Sequence, residues 1–306
     1  MSLHLDEPVG INPCVNIVFL TLFGDPAHES VLIDFLNAVL APSAPIVRAM
    51  VRNPFHPAQF EDHKSLILDI EARDEAGRTL QVEMQRRSDR GLNQRMLYGW
   101  ARLYSEQLEK GHPYEELRPV VSVWVCEEDV FPQARNAHLR FGLIEVREGF
   151  PLHTDIRFEV LQLGRWTADR DVLIAAPVGA WFWFFNEAER WRSVPPQIDS
   201  DAMEAAMRIL NDFRTDSHLN YIYRGQVEAE RVELGRQREL EDARAELDDA
   251  RAELDEARAE LDDVRAEKER ERAEKEQALA AELAQRARVE QLQARLLALG
   301  INPDGE

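Results

Sequence analysis

The 306-residue sequence predicts an α/β domain with the element order α-β-β-β-α-β, followed by a long C-terminal coiled-coil helix. Three observations predict it. Two adjacent runs alternate apolar and polar residues at period two around a glycine-containing turn, the pattern of a hairpin with one buried face. Helical periodicities flank that hairpin, and a continuous apolar run follows them. Near the C-terminus a leucine recurs every seven residues.

The first helix is carried by Val15, Val18, Phe19, Leu22 and Phe23, with Gly24 as its stop. Asp25 then Pro26 reads as an N-cap followed by proline at the first helical position. Val31, Leu32, Phe35, Leu36, Val39 and Leu40 form the apolar stripe of the second helix. Residues 46–51 suit a short strand. In the hairpin, Leu66, Leu68, Ile70 and Ala72 alternate with Ile67, Asp69, Glu71 and Arg73. After the turn, Leu80, Val82 and Met84 alternate with Gln81, Glu83 and Gln85. A three-residue loop, Glu75-Ala76-Gly77, puts Gly77 at the left-handed position. Leu92, Met96, Trp100, Leu103, Tyr104 and Leu108 mark a long amphipathic helix ending near Gly111 and Pro113. Residues 119–125 (PVVSVWV) read as a fully buried strand. A second hairpin is expected over 135–163, with Phe158, Val160 and Leu163 on its second strand. The aromatic run Trp181 to Phe185 suits a buried helix edge, and residues 200–233 read as helical.

The three-residue loop sets a register that pairs Ile70 with Val82 and Leu68 with Met84. It also places Asp69 opposite Glu83. Side chains facing each other across such a pair have Cβ atoms roughly 4.5–5.5 Å apart, and like charges there destabilise. Two apposed carboxylates suggest a hard divalent cation, which takes carboxylate and carbonyl oxygens. A solvated acidic sheet face is the other reading of the same pattern.

With these elements in place, the chain resembles the PD-(D/E)XK nuclease superfamily, and more closely its Rpn branch of recombination-promoting nucleases and transposases. The resemblance rests on Asp69, a gap of 13 residues, and Glu83-Met84-Gln85. It extends through VFLTLFGDP (18–26), LIDFLNAVL (32–40), FEDHKSLILDIEARDEAGRTLQVEMQ (60–85), RMLYGWARLYSEQLEKGHPYEELRPVVSV (95–123) and VLQLGRW (160–166). It implies a restriction-endonuclease-like core, a mixed sheet flanked by helices, and Mg²⁺- or Mn²⁺-dependent cleavage of DNA. The implied setting is recombination, mobile-element biology or phage defence. It makes Asp69, Glu83 and the main-chain carbonyl of Met84 metal ligands. Gln85 stands where most of the superfamily has lysine. A glutamine can orient water but brings no positive charge and cannot act as a base. Lys64 is a candidate for the missing cation, or a solvated strand-edge lysine. Gln94 and Tyr98, one helical turn apart, resemble a pair seen in exonuclease branches; half-buried packing is the alternative for Tyr98. Arg86, Arg87, Arg90 and Arg95 form a candidate phosphate-contacting rim, or a solvated face. The first block departs from the family's N-D-x-x-F-K: Asn16 and Leu20 stand for the Asp and Lys, with Glu29 as a possible substitute acid. A weak or inactive nuclease-like protein that binds nucleic acid or protein as an oligomer is the second functional reading.

Net charge −20 argues against a broad basic DNA-binding surface. Residues from 226 onward hold 24 acidic and 14 basic side chains, so half of that charge lies in the tail. Cys14 and Cys126 make no disulfide framework or metal-ligand spacing. His28, His56, His63, His112, His138 and His153 are scattered, and no phosphate-cradling glycine loop or Ser-His-Asp set is present. Without a signal-peptide pattern or an apolar run of spanning length, a cytoplasmic protein with no membrane partner is expected.

In the tail, Leu240, Leu247, Leu254 and Leu261 fit heptad position a, and Ala243, Ala250, Ala257 and Val264 fit d. Arg244, Arg251, Arg258 and Arg265 fall at e, and Glu246, Glu253 and Glu260 at g. Lys268, Glu271 and Lys275 break the seam, and Leu283, Leu292, Leu296 and Leu299 resume it in another register. A homodimer through this coiled coil is expected, with a lone charged helix as the alternative. The expected division is 1–166 as core, 167–225 as its helical extension and 226–300 as coiled-coil tail.

Overall fold

The computed structural model describes residues 3–55, 69–87, 91–166 and 176–298. The chain divides into two compact units, Met1–Glu230 and Arg231–Glu306. Helices α1 (Asn16–Gly24) and α2 (Glu29–Leu40) open the first unit. A short 3-10 turn joins them, and Asp25 caps it by accepting the Ala27 N–H at 2.9 Å. Strands β1 (Ala49–Val51), β2 (Asp69–Asp74) and β3 (Thr79–Gln85) follow, then helix α3 (Leu92–Ser105) and strand β4 (Val120–Cys126). Strands β5 (His138–Ile144) and β6 (Pro151–Gln162) form the second hairpin. Leu163, expected on its second strand, begins a 3-10 turn instead.

Among the described residues these strands form one mixed sheet in the order β1-β2-β3-β4-β6-β5. β3 and β6 flank β4 in parallel, and the remaining pairs are antiparallel. Every residue of β4 is buried, as a central parallel strand covered on both faces requires. On one face Ile70, Ala72, Leu80, Val82, Met84, Val121, Val123 and Val125 meet α1, α2, α4 (Pro177–Glu187) and α5 (Asp201–Thr215). On the other, Leu92 and Met96 of α3 pack with Trp124, Cys126, Phe158 and Val160. The run from Trp181 to Phe185 is buried, and the Trp181 indole donates to Asp34 at 2.8 Å.

The helical stretch expected over 200–233 is two helices. Ser200 caps α5, while Asp216 ends it and caps α6 (Ser217–Ala298) by accepting the His218 and Leu219 N–H groups. A side-chain acceptor there gives the backbone an alternative to continuing the helix. The first turns of α6 belong to the first unit and are fastened to its other elements. Tyr223 accepts the Asn12 N–H at 3.1 Å, Gln226 accepts the Ile17 N–H at 2.9 Å, and Glu230 pairs with Arg86. In the second unit α6 continues as a regular exposed helix to Ala298, with Leu247 and Leu254 each 51% exposed.

Glu159 has a fully buried side chain in the middle of β6. It accepts from His138 at 2.7 Å, Arg140 at 2.7 Å and Arg157 at 2.6 Å. Arg157 also donates to the Leu40 carbonyl, fastening α2 to the sheet. Burial alone would raise the carboxyl, but His138, Arg157 and Arg140 outweigh it and hold it below its ordinary value. A depressed carboxylate contributes stability above its unfolded pKa, and loses that contribution as pH falls through the folded value. Glu159→Gln should therefore cost about 2 kcal/mol at neutral pH, the range for losing hydrogen bonds to a charged group, since a neutral amide replaces the carboxylate on which His138, Arg140 and Arg157 converge. The gap to wild type should close on acidification below pH ~4. Urea melts across pH test both statements.

Candidate active site

The β2–β3 hairpin has the expected register. Asp69 pairs with Glu83 and Ile70 with Val82, and the ladder runs on to Arg73 with Thr79. The loop is Glu75-Ala76-Gly77, closed by the Asp74 N–H to the Arg78 carbonyl at 3.2 Å, and Gly77 has φ +79°. Asp74 holds the turn from inside, accepting the Ala76 and Arg78 N–H groups and pairing with the Arg78 guanidinium at 2.5 Å. Leu68 and Lys64 lie outside the described residues, so neither the Leu68–Met84 pair nor the Lys64 assignment is placed.

The polar side of this hairpin is not a solvated face, because α3 lies across it. Gln81 is buried, Glu83 half-buried, and the Arg102 guanidinium of α3 stands 3.5 Å from Glu71. A Cβ on Gly99 would sit 3.6 Å from Gln81 Nε2. At the N-terminal end of α3, Arg95 donates to Gln85 Oε1, and its guanidinium lies 5.5 Å from the Trp124 ring centroid. The Gln85 amide nitrogen donates to the Arg87 carbonyl, so both ends of that amide are engaged. Glu83 Oε1 accepts from Gln81 Nε2 at 3.0 Å. The neighbouring Cys126 thiol is pushed up to about 12, first by burial and then by the Glu83 charge, which keeps it protonated.

Arg86 is turned to the opposite side of the sheet. It pairs with Glu127 at 3.0 Å and with Glu230 of α6. Burial would lower its pKa, and the two carboxylates more than reverse that. This engagement separates Arg86 from Arg95, which stands by Gln85. Arg90 lies outside the described residues. Glu29 accepts the Ala49 N–H at 2.9 Å, and Ala49 pairs with Asp74 at the far end of β2 from Asp69. It is therefore no substitute acid for the site. Leu20 is buried in the core, and Asn16 is the half-buried first residue of α1. Gln94 is exposed, as is Tyr98 at 73%, which excludes the half-buried packing reading of Tyr98.

The backbone register sets residue 69 opposite residue 83, and the oxygen donors of an aspartate and a glutamate suit a hard divalent cation and not a soft one. Among the described residues, no group of three or more His, Cys, Asp or Glu side chains is placed to hold a metal. A site here would therefore draw on main-chain oxygens and water as well as carboxylates.

The family model of the PD-(D/E)XK nuclease family transposases matches residues 13–243. The chain belongs to this family. Membership assigns it a nuclease- or transposase-related role, and the matched span contains the whole hairpin, α3 and β4. No curated protein and no solved structure matches the chain. No helix among the described residues is long and apolar enough to cross a membrane. Periodicity gave no role to Gly99 and Arg102, which the crossing of α3 brings to Gln81 and Glu71, or to Ser122, which the parallel pairing of β3 and β4 sets beside Gln81.

Proposed function

We propose that this family member is a Mg²⁺- or Mn²⁺-dependent DNA endonuclease acting in recombination or mobile-element biology. The observation that carries this reading is the Asp69–Glu83 pairing across β2 and β3. Asp69, Glu83 and the Met84 carbonyl are the ligands. A bound divalent cation would supply an acidified water and neutralise charge on the scissile phosphate. The chain's own groups do the rest. Glu83 orients and accepts a proton from water at its carboxylate. Gln85 has no charge to offer, but its carbonyl oxygen holds the Arg95 guanidinium beside the site. Arg95 thereby brings the positive charge that position 85 lacks, and with Arg87 it contacts phosphate.

Gln85→Ala should then act through Arg95. Cleavage should fall roughly 10- to 100-fold, the range for loss of a supporting contact. Arg95→Ala should fall at least as far, and the double variant no further than Arg95→Ala alone, because one chain of contacts is removed once. Additive losses in plasmid-cleavage rates would separate the two residues. The reading as a whole is tested by incubating full-length protein with supercoiled plasmid in Mg²⁺, in Mn²⁺ and in EDTA. Conversion to nicked or linear DNA only with metal supports it.

Asn16 supports a second reading, a nuclease-like protein that binds DNA without cutting. It stands where the Rpn resemblance calls for an acid, and an amide is a weaker ligand than a carboxylate. Metal-dependent DNA retention in a gel shift, with no cleavage, would favour that reading.

The tail is proposed to join two copies in parallel. Its heptads carry arginine at every e position and glutamate at every g position from Arg244 to Arg265. Parallel helices bring g against the e of the partner's next heptad, so glutamate meets arginine. Antiparallel helices bring g to g and e to e, so like charges would face each other. Within the helix Arg251, Arg258 and Arg265 lie 3.6–3.8 Å from Asp248, Asp255 and Asp262. Glu246, Glu253 and Glu260 make no ion pair among the described residues, which suits them to a partner.

A further inference from the structure

A one-way chain of hydrogen bonds runs through the buried polar face and ends on Glu83. The Trp124 indole N–H donates to Ser122 Oγ at 2.8 Å. Ser122 Oγ donates to Gln81 Oε1 at 2.8 Å, and Gln81 Nε2 donates to Glu83 Oε1 at 3.0 Å. The direction is fixed by chemistry at both ends. An indole N–H can only donate and an ionised carboxylate can only accept. Ser122 must therefore spend its single proton on the Gln81 oxygen, which leaves the amide NH₂ turned to Glu83. Gln81, Ser122 and Trp124 are each no more than 1% exposed, while Glu83 is half-buried.

We propose that Gln81 is a positioning residue, holding the Glu83 carboxylate in the orientation that a divalent cation requires. The proposal rests on the metal-site reading above. An apolar side chain at position 81 would bring no polar group of its own under α3 to be satisfied. A glutamine earns its place there only if its amide does something, and its NH₂ points at the one group of the chain with access to solvent. The donor is also of the right kind. A lysine or arginine at 81 would fix Glu83 equally well but would neutralise it and compete with a cation. A neutral amide fixes the carboxylate and leaves its charge whole. Supporting contacts of this sort are worth roughly 10- to 100-fold in metal affinity.

The test is calorimetric titration of Mn²⁺ into the full-length protein without DNA, for wild type, Asp69→Ala, Gln81→Leu and Ser122→Ala. Gln81→Leu should bind Mn²⁺ roughly tenfold more weakly. Ser122→Ala releases the amide from its fixed orientation and should show a smaller loss. In plasmid cleavage, the Mn²⁺ concentration for half-maximal rate should rise in both variants while the KM for DNA stays put. Unchanged Mn²⁺ affinity in folded Gln81→Leu overturns the proposal. A raised DNA KM with unchanged Mn²⁺ affinity also overturns it, by making Gln81 a substrate contact. If Gln81→Leu does not fold, Ser122→Ala decides, and wild-type affinity there is fatal. Failure of the metal-site reading looks different: wild type binds no Mn²⁺, or Asp69→Ala binds it as well as wild type, and both ideas then fall together.

Discussion

Glu83→Ala and Asp69→Ala should each lower metal-dependent plasmid cleavage by roughly three orders of magnitude, the upper range for losing one preorganised charged group. Each removes the carboxylate of one member of the residue pair that the hairpin register sets opposite each other. The fold should survive. Both residues alternate along their strands with Ile70 and Val82, which pack in the core. Without metal, each substitution also relieves a like-charge pair across the strands, worth about 0.2–1 kcal/mol. Melting temperature in EDTA should therefore stay level or rise slightly while cleavage disappears. Near-wild-type cleavage by either variant would dismiss the hairpin as the catalytic centre.

Leu247→Asp with Leu254→Asp should separate the proposed dimer into monomers. Both leucines are half-exposed on a helix whose neighbouring heptads repeat them, so in a paired helix both would lie in the seam. Two adjacent a-layers would then each bury a pair of carboxylates, at several kcal/mol per buried charge. The first unit has its own core of strands and helices, so its melting should not change. A plasmid cut on both strands by paired subunits should be nicked by the variant instead of linearised. Light scattering settles the first step: wild-type protein that is already monomeric at micromolar concentration removes the dimer, and the paired cut with it.

The hairpin was legible in the sequence because two independent signals agreed. Period-two alternation required Ile70 opposite Val82, and Gly77 supplied the left-handed residue of a three-residue loop. The register, with residue 69 opposite residue 83, followed from these alone. What covers the polar side was not legible. Gln81 and Glu83 look alike in an alternating strand, and only the passage of α3 buries one and leaves the other half-open. Glu159 escaped notice for a related reason. Phe158 and Val160 mark one inward face of β6, but the sheet is covered on both sides, so the charged residue between them is inward too. The break at Asp216 was hidden because a capping aspartate inside a helical pattern looks like any exposed acid until its acceptor is seen to serve His218 and Leu219. Arg86 and Arg95 belong to one basic cluster in sequence, yet strand alternation and a helix start place them on opposite sides of the sheet.

The repeated stretch of α6 between Leu240 and Val264 sets the unit in which the tail can change length. Its successive blocks of seven residues are nearly the same, Glu-Leu-Asp-Asp-Ala-Arg-Ala with small variations. The change in length that this pattern tolerates is one whole block of seven residues. Such a change lengthens or shortens the helix by about 10 Å. It leaves every leucine, alanine, arginine and glutamate in its own heptad position. Tail length can therefore change by whole heptads with the same pairing code, whereas a change of one or two residues would rotate the leucines off their face.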